Sequence, residues 1–290
     1  MLCSLRQMRQ CMKILITGRN SKIAQELVRR IKPSKLTAYT KAELDITNIA
    51  HIKAAIIKDR PNIIINCASF NNLQQAEKHP DLANKVNYLG VKNLVNLALD
   101  YEIKLIHFSS NYIFAGNQTE PYIETDRAEP LNVFGHSKLK GENEIIQAKE
   151  LEYLIFRTSF IYDLQADNVI AKIIKAAKEQ EEVYYPAAEL NTPTSANLAV
   201  ELVLRSIKNK LQGVFNLSCS GFASQYDFAH EIIKFYKIPA LIKPLTIAKQ
   251  DDILKPKFSV LDNSKIAQEL AIKIPDWQAE LTKLLTKYDC

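Results

Sequence analysis

The chain has 290 residues, 47% of them hydrophobic and 24% charged, a length and composition that suit a folded protein of one large domain or two unequal ones. Its five cysteines form no C-x-x-C pair, and no apolar run approaches the roughly 18 residues of a membrane span or resembles a signal peptide. We therefore expect a cytoplasmic protein with reduced thiols and no membrane association. The net charge of +6 comes from basic residues scattered among acids rather than gathered into a stripe, so we expect no nucleic-acid partner.

Short apolar runs alternate with stretches of helical periodicity through the first half of the chain. The runs predicted as strands are 13–17, 36–39, 62–68, 104–108 and 153–157. The stretches predicted as helices are 21–31, 49–58, 82–101 and 132–148, and a polar loop is predicted over 115–131. The run at 62–68 (NIIINCA) is apolar on both faces, as in a parallel sheet covered on both sides. This alternation predicts β-α-β units and an α/β fold with a doubly wound parallel Rossmann sheet.

The pattern becomes less regular beyond Tyr162. Helices are predicted over 168–178, 195–208, 224–236 and from about 276, and a returning strand over 213–217. We interpret residues 12–162 as an NAD(P)-binding Rossmann domain that 195–217 completes. Residues 163–290 are predicted to form mainly a smaller C-terminal α+β substrate domain, which acts as a lid. Residues 1–11 are predicted to be a disordered extension.

The turn after the first strand carries part of a dinucleotide fingerprint. It reads Gly18-Arg19-Asn20-Ser21-Lys22-Ile23-Ala24, and the fingerprint requires small residues at the first, fourth and seventh positions. Gly18 is the one glycine, while Ser21 and Ala24 are small substitutes. A glycine turn after a strand is common, so the turn alone is a weak signal. The N-terminus of the following helix still offers free N–H groups to a phosphate.

The end of the second strand bears on the choice of cofactor. About 20 residues after the glycine turn, NAD-binding proteins usually place an acid that binds the ribose diol. This chain has Tyr39-Thr40-Lys41 there, and Arg19 is expected nearby. Because no carboxylate at this position repels a 2′-phosphate, the sequence favours NADPH, with NADH as the alternative.

The helix predicted over 132–148 contains a segment similar to the Tyr-x-x-x-Lys pair of short-chain dehydrogenases. The segment is Phe134-Gly135-His136-Ser137-Lys138, and positions i and i+4 share one helical face. In that pair the tyrosine protonates a carbonyl oxygen, while the lysine lowers the tyrosine pKa and holds the ribose. Phe134 has no proton to give, and His136 lies on roughly the opposite side of the helix.

Further segments make the chain resemble the dTDP-4-dehydrorhamnose reductase family, of the extended short-chain dehydrogenase class, along nearly its whole length from Met12. The segments are MKILITG at 12–18, ELDIT at 43–47, RPNIIINCA at 60–68, QAE at 75–77, SSNYIFAG at 109–116, Pro121 with Tyr122, PLNVFGHSKLKGE at 130–142, RTSFIY at 157–162, TPTSANLA at 192–199, SCSGFASQYDFA at 218–229, SVLDNSK at 259–265 and residues 275–277. The run PLNV-x-G-x-SK-x-x-GE is specific, and the combination is far more specific than any single segment.

The resemblance implies an enzyme of nucleotide-sugar biosynthesis that uses NADPH to reduce dTDP-4-dehydro-L-rhamnose to dTDP-L-rhamnose. Its substrate would be a nucleotide sugar. Together with the turn and the second strand, the resemblance leads to one set of predicted cofactor-binding residues. These are Gly18, Arg19, Ser21, Lys22, Ile23, Lys41, Asp45, Ile46, Ser69, Phe70, Asn71 and Lys138.

The same resemblance implies a sugar site that departs from the family pattern. Ser110 stands for the family's active-site Thr and keeps the hydroxyl, whereas Asn111 stands for an Asp and loses its charge. Phe160 stands for an aromatic, commonly Trp, that lines the sugar pocket, and Ala115 replaces an Asp. The predicted catalytic positions are Lys138, Ser110 and Phe134 (the family's Tyr position), and the predicted substrate-binding residues are Ser110, Asn111 and Phe160. The proton is then expected from Ser110 or an ordered water.

Other functions stay open at this point. A non-catalytic NADP- or nucleotide-binding regulatory protein on the same fold would resemble the regulatory subunit of methionine adenosyltransferase, and Ser21, Asn111 and Phe134 favour it. A nucleotide-sugar epimerase also relies on the Tyr-x-x-x-Lys pair, so Phe134 argues equally against it. The five histidines lack metal-ligand spacing, so no metal site is predicted. The sequence leaves open a requirement for Mg²⁺ and the formation of a homodimer.

Overall fold

A computed structural model describes residues 12–165, 168–245 and 253–288, and the predicted disordered extension at 1–11 lies outside these ranges. The strands are β1 (Ile14–Thr17), β2 (Leu36–Ala38), β3 (Ile63–Asn66), β4 (Lys104–Ser110), β5 (Tyr153–Thr158), β6 (Ile161–Tyr162), β7 (Glu182–Pro186), β8 (Thr194–Ser195), β9 (Gly213–Leu217) and β10 (Leu241–Leu245). The helices are α1 (Lys22–Arg30), α2 (Ile49–Asp59), α3 (Leu73–Lys78), α4 (Pro80–Asn84), α5 (Gly90–Asp100), α6 (Val133–Gln147), α7 (Val169–Glu179), α8 (Ala196–Lys208), α9 (Gln225–Tyr236), α10 (Ser264–Glu269) and α11 (Trp277–Tyr288). No helix in the described ranges is long and apolar enough to cross a membrane.

The main sheet contains, within the described residues, six parallel strands in the order β2-β1-β3-β4-β5-β9. β1 pairs with β2 on one side and with β3 on the other, so the strand order reverses beside β1. A crevice opens at the carboxyl ends of the strands at such a point. β9 pairs with β5, in agreement with the returning strand predicted over 213–217. The predicted α/β class with a doubly wound Rossmann sheet is confirmed, whereas the domain boundary near residue 162 stays a prediction.

Both faces of this sheet are buried. Ile16 of β1 lies in one apolar cluster together with Phe228 and Trp277 from the C-terminal part of the chain. Leu15, the neighbour of Ile16, points to the opposite face and lies in a second cluster with Leu94 of α5. A strand covered on both faces requires apolar side chains at consecutive positions. This requirement explains why the strands appear in the sequence as continuous apolar runs.

The helix predicted over 82–101 is not continuous. α4 passes into a wider π-helical turn at Lys85–Leu89, and α5 begins directly after it. Asn87 lies in this turn and is buried. Its side-chain amide donates to Ser137 Oγ of α6 at 2.9 Å and to the carbonyl of Phe70 at 3.0 Å. The irregular turn therefore places a polar side chain in the interior with its hydrogen bonds satisfied.

Gly141 of α6 allows this helix to approach the π-helical turn closely. A Cβ atom at position 141 would lie 2.1 Å from the backbone oxygen of Asn87. Changing an exposed helical glycine to alanine stabilises the helix by up to about 1 kcal/mol. At position 141, however, α6 and the backbone of Asn87 would have to move apart to make room for the methyl group. We expect Gly141→Ala to destabilise the protein by about 1–3 kcal/mol, as measured by urea unfolding. The change His136→Ala on the exposed side of α6 is the control, with an expected effect within about 0.5 kcal/mol, and a Gly141→Ala protein as stable as the wild type would contradict the prediction.

Candidate active site

Two adjoining clefts lie at the carboxyl ends of the parallel strands. The β2 cleft, of about 300 Å³, is lined by Gly18, Asn20, Ser21, Lys41, Leu44, Asp45, Ile46, Cys67, Ala68, Ser69, Phe70, Asn71 and Val86. The α6 cleft, of about 560 Å³, is lined by Asn20, Ser21, Lys22, Ile23, Cys67, Ser69, Asn71, Phe108, Ser109, Ser110, Phe134, Lys138, Thr158, Ser159, Phe160 and Ile161. Because several residues line both clefts, the two form one continuous groove.

The predicted cofactor residues gather in this groove, with one exception. Those that line the β2 cleft are Gly18, Ser21, Lys41, Asp45, Ile46, Ser69, Phe70 and Asn71, and those that line the α6 cleft include Lys22, Ile23 and Lys138. Arg19 is the exception, since it faces an adjoining surface hollow together with Gln25 and Arg29. Their roles in cofactor binding stay predictions.

The turn after β1 closes tightly onto the end of β3. Gly18 has a φ of +67°, and a Cβ atom there would lie 2.5 Å from the backbone nitrogen of Ala68. A side chain would therefore be strained and would also clash, which leaves glycine as the residue that fits. Ser21 caps α1, because its hydroxyl accepts a hydrogen bond from the backbone N–H of Ala24 at 3.2 Å. The positive end of the α1 dipole thus faces the groove.

An acid that the sequence analysis overlooked lies just beyond the second strand. The Glu43 carboxylate accepts hydrogen bonds from the backbone N–H and the hydroxyl of Thr40, each at 2.8 Å. These hydrogen bonds, helped by the charges of Arg19 and Lys58, lower the pKa of Glu43. Glu43 does not line the β2 cleft, whereas Lys41 does.

The loop at 69–71 is held by the buried Asn87. Its side-chain oxygen accepts hydrogen bonds from Ser69 Oγ at 3.1 Å and from the Phe70 backbone N–H at 2.8 Å. Together with its bonds to Phe70 O and Ser137 Oγ, these fill the hydrogen-bonding capacity of the amide. Sequence reasoning missed Asn87, although a polar residue on the buried face of a predicted amphipathic helix was the available signal.

Lys138 is a buried basic residue that lines the α6 cleft. Its residue is 3% exposed, and its ammonium donates to the Phe108 carbonyl at 2.5 Å and lies 3.4 Å from His107 Nε2. Burial lowers the pKa of Lys138 to about 8, against the opposing effects of Glu142 and Cys67. The predicted lysine of the pair therefore lies at the groove, and its pKa is closer to neutrality than that of an ordinary lysine.

Phe134 lines the same cleft and carries no proton to give. Its ring packs with Ala76 and Ala83 and meets the Tyr112 ring edge-on, with the ring centroids 5.8 Å apart. Asn132 caps α6 by accepting a hydrogen bond from the Gly135 backbone N–H at 2.9 Å. The helical frame of the pair is thus formed without the tyrosine hydroxyl.

The structure places only some of the predicted sugar-site residues in the cleft. Ser110 and Phe160 line the α6 cleft, but Asn111 lines neither cleft. The Asn111 amide donates to Ser259 Oγ at 2.8 Å and to Ser159 Oγ at 3.2 Å. This gives Asn111 contacts that join β4 to the C-terminal part, and its direct contact with a substrate stays a prediction.

Ser109, the first residue of the segment SSNYIFAG, is a cleft residue that the sequence analysis did not single out. Its hydroxyl is buried in the wall of the α6 cleft and has no hydrogen-bond partner within the described part of the chain. Buried polar atoms are nearly always paired in native proteins, so such an atom at a cleft marks a place for a ligand or water. Ser109 and Ser110 thus both line the α6 cleft at the end of β4.

The sheet order, the glycine turn and the cleft at the carboxyl edge define a Rossmann-type protein of the dinucleotide-binding class. The family described as RmlD substrate binding domain matches residues 12–290. The dTDP-4-dehydrorhamnose reductase of Escherichia coli strain K12 is 30% identical to the chain, with 95% of this chain and 98% of that protein covered. The chain belongs to the dTDP-4-dehydrorhamnose reductase family, so the predicted resemblance is confirmed.

Solved structures agree with this assignment. A dTDP-4-dehydrorhamnose reductase from Clostridium acetobutylicum superposes with a TM-score of 0.89 at 30% identity, covering 96% of this chain and 100% of that chain. The dTDP-4-dehydrorhamnose reductase of Bacillus anthracis, solved in complex with NADP, also has a TM-score of 0.89, at 27% identity with 95% and 99% covered. The chain is thus similar over its length to solved dTDP-4-dehydrorhamnose reductases, one of them in complex with NADP.

Proposed function

We propose that the protein reduces dTDP-4-dehydro-L-rhamnose to dTDP-L-rhamnose with NADPH, in the cytoplasm. The observation that carries the proposal is the buried Lys138 in the lining of a groove that Ser109 and Ser110 also line. A carbonyl oxygen bound beside Lys138 would meet a cationic donor for the negative charge that develops during reduction.

Two observations indicate that the groove suits a dinucleotide. The close approach of Gly18 to β3 leaves the N-terminus of α1 facing the groove, where its N–H groups would hold phosphate. Ser109, whose buried hydroxyl has no partner among the described residues, also lines this groove. When bound, NADPH supplies a hydride. Asp45 and the loop at 69–71 would hold the adenosine part, and Lys138 would hold the nicotinamide ribose.

The direct test is the reaction itself. Purified protein is mixed with dTDP-4-dehydro-L-rhamnose and NADPH, and the loss of NADPH absorbance is followed together with chromatography of the sugar nucleotide. The matched control is Lys138→Ala. Formation of dTDP-L-rhamnose by the wild type well above the control supports the proposal, whereas turnover no faster than that of the control would overturn it.

NADPH is expected to bind at least about tenfold more tightly than NADH. Lys41 lines the β2 cleft, and the Asp45 carboxylate there is engaged by the Thr47 backbone N–H at 2.9 Å. Glu43 is turned to Thr40. A charged contact to the 2′-phosphate contributes about 1.5–3 kcal/mol. Calorimetric titration should show Lys41→Met weakening NADPH but not NADH, and NADH binding as tightly as NADPH would refute this preference.

A non-catalytic nucleotide-binding role is the second candidate, and Phe134 is the observation that favours it. A protein of this kind would bind NADPH with an affinity typical of reductases and show no turnover above the Lys138→Ala control. The calorimetric titration, combined with the turnover assay, therefore distinguishes the two functions. Absence of NADPH binding would contradict both.

A further inference from the structure

A row of buried polar side chains crosses the sheet and ends at Lys138. Thr17 of β1, Asn66 of β3 and His107 of β4 are neighbours in strand register and are all buried. Thr17 Oγ1 lies 2.7 Å from Asn66 Oδ1, and Asn66 Nδ2 lies 3.0 Å from His107 Nδ1. The other ring nitrogen of His107 lies 3.4 Å from Lys138 Nζ. The row therefore connects the sheet interior to the groove.

The hydrogen bonds of this row assign the tautomer of His107. Asn66 Oδ1 accepts from the Thr17 hydroxyl at 2.7 Å and from the Ala68 backbone N–H at 3.1 Å, so its amide nitrogen must face the ring. An amide nitrogen can only donate, and His107 Nδ1 therefore accepts. Burial, and secondly the charge of Lys138, hold the pKa of His107 well below its ordinary value. The ring is neutral and carries its proton on Nε2.

In this tautomer two hydrogen-bond donors face each other. The Nε2–H of His107 faces the Lys138 ammonium, which finds no acceptor in His107 and donates to the Phe108 carbonyl instead. Once Lys138 loses a proton, its lone pair can accept the Nε2–H. His107 thus stabilises the neutral amine relative to the ammonium.

Other titratable groups around Lys138 leave this balance in place. Glu142, on the same helix, is engaged by Arg157 of β5, whose Nε donates to Glu142 Oε1 at 3.0 Å. Burial raises the pKa of the Cys67 thiol at the end of β3 to about 12, so it is neutral near pH 7. Phe134 presents no titratable group. His107 is therefore the polar group on the sheet side that controls the protonation state of Lys138.

We propose that Lys138 is the acid that protonates the keto oxygen, and that His107 is the positioning residue that promotes this proton transfer. The inference rests on the proposed function and replaces the expectation that Ser110 or a water supplies the proton. Ser110 is poorly placed for it, because its hydroxyl donates to Asn111 Oδ1 at 3.3 Å.

A hydride from NADPH adds to the carbonyl carbon, the π electrons of the C=O bond move to the oxygen, and the oxygen takes one proton from the Lys138 ammonium. The products are the alcohol, the oxidised nicotinamide and the Lys138 amine, which accepts the Nε2–H of His107. A proton from solvent restores the ammonium after the product leaves.

The test uses the ligand-free protein, with isotope-labelled lysine and histidine observed by NMR. The Lys138 signal is identified by its loss in Lys138→Met. The wild type should show the His107 proton on Nε2 and a Lys138 titration midpoint near 8. Asn66→Asp offers only acceptors to Nδ1, which moves the ring proton there and turns the Nε2 lone pair toward the ammonium. The Lys138 midpoint should then rise by about one unit or more.

Thr17→Val is the matched control, because it removes a buried hydroxyl from the same row while the Ala68 N–H still orients Asn66. It should leave both the tautomer and the midpoint unchanged. The rate of reduction should fall as pH rises through the Lys138 midpoint, since the acid must be protonated. This falling limb should move to higher pH in Asn66→Asp.

A wild-type His107 proton on Nδ1, or a Lys138 midpoint near the ordinary 10.5, would overturn the inference whether or not Asn66→Asp folds. If the pH at which the rate falls does not shift together with the Lys138 midpoint, Lys138 is not the acid. The expected spectra without any turnover overturn the proposed function, and the acid role with it, while the pairing of His107 with Lys138 stands.

Discussion

Phe134→Tyr is expected to raise turnover by about ten- to a thousandfold, the share of a well-placed general acid. The Phe134 ring lines the α6 cleft one helical turn from Lys138, and Ala76 and Ala83 pack against it with small side chains. A tyrosine here would have its pKa lowered by the Lys138 ammonium. The tyrosine hydroxyl would be a second proton donor beside the Lys138 ammonium.

The NADPH affinity of Phe134→Tyr should stay nearly unchanged, because the groups predicted to hold the cofactor are untouched. Phe160→Tyr is the matched control, since Phe160 also lines the α6 cleft but lies outside the Tyr-x-x-x-Lys spacing, and it should produce no gain. Steady-state kinetics and calorimetry measure both quantities. A Phe134→Tyr protein that binds NADPH without any gain in rate would indicate that Asn111, Ala115 or Phe160 disables the sugar site, and would favour the binding-protein function.

Arg157→Met is expected to destabilise the protein by about 3–5 kcal/mol, because it leaves a buried carboxylate without its partner. The side chain of Glu142 is fully buried and that of Arg157 is 6% exposed. Arg157 also donates to the Glu124 carbonyl at 2.8 Å and lies over the Phe114 ring. The pair ties α6, which carries Lys138, to β5.

Urea unfolding measures this loss. Arg127→Met is the control, since Arg127 pairs with Glu129 in solvent with side-chain exposures of 87% and 44%, and such pairs contribute about 1 kcal/mol or less. The double variant Arg157→Met with Glu142→Leu should recover much of the stability, because an apolar pair has no charge to desolvate. A single-variant loss below about 1 kcal/mol would contradict the stabilising role of the pair.

The main sheet could be predicted from the sequence because each strand is covered on both faces and is therefore a continuous apolar run. The short elements could not. α3 and α10 have six residues each, and the pairs β6–β8 and β7–β10 contain two to five residues per strand, too few for a clear period. The break at 85–89 follows from the hydrogen bonds of Asn87 to distant residues, which no local pattern contains.

Much of the groove was also predictable, for a geometric reason. The carboxyl ends of parallel strands lie at the same edge of the sheet, so residues at or just beyond the ends of β1, β3 and β4 converge there, as Ser21, Ser69 and Ser110 do. The sequence analysis missed Ser109 and His107, because an unpartnered hydroxyl and a paired ring are defined by their surroundings and not by their residue types.

By itself the sequence determined the family, the parallel sheet and the missing hydroxyl at Phe134, because residue type and local period are properties of the chain alone. Only the tertiary structure decided the state of Lys138. Asn66 and His107 are 41 residues apart and become partners through strand register, while Lys138 reaches them from a helix. Whether an ammonium keeps its proton depends on burial and on which donors and acceptors surround it, and these exist only after the chain has folded.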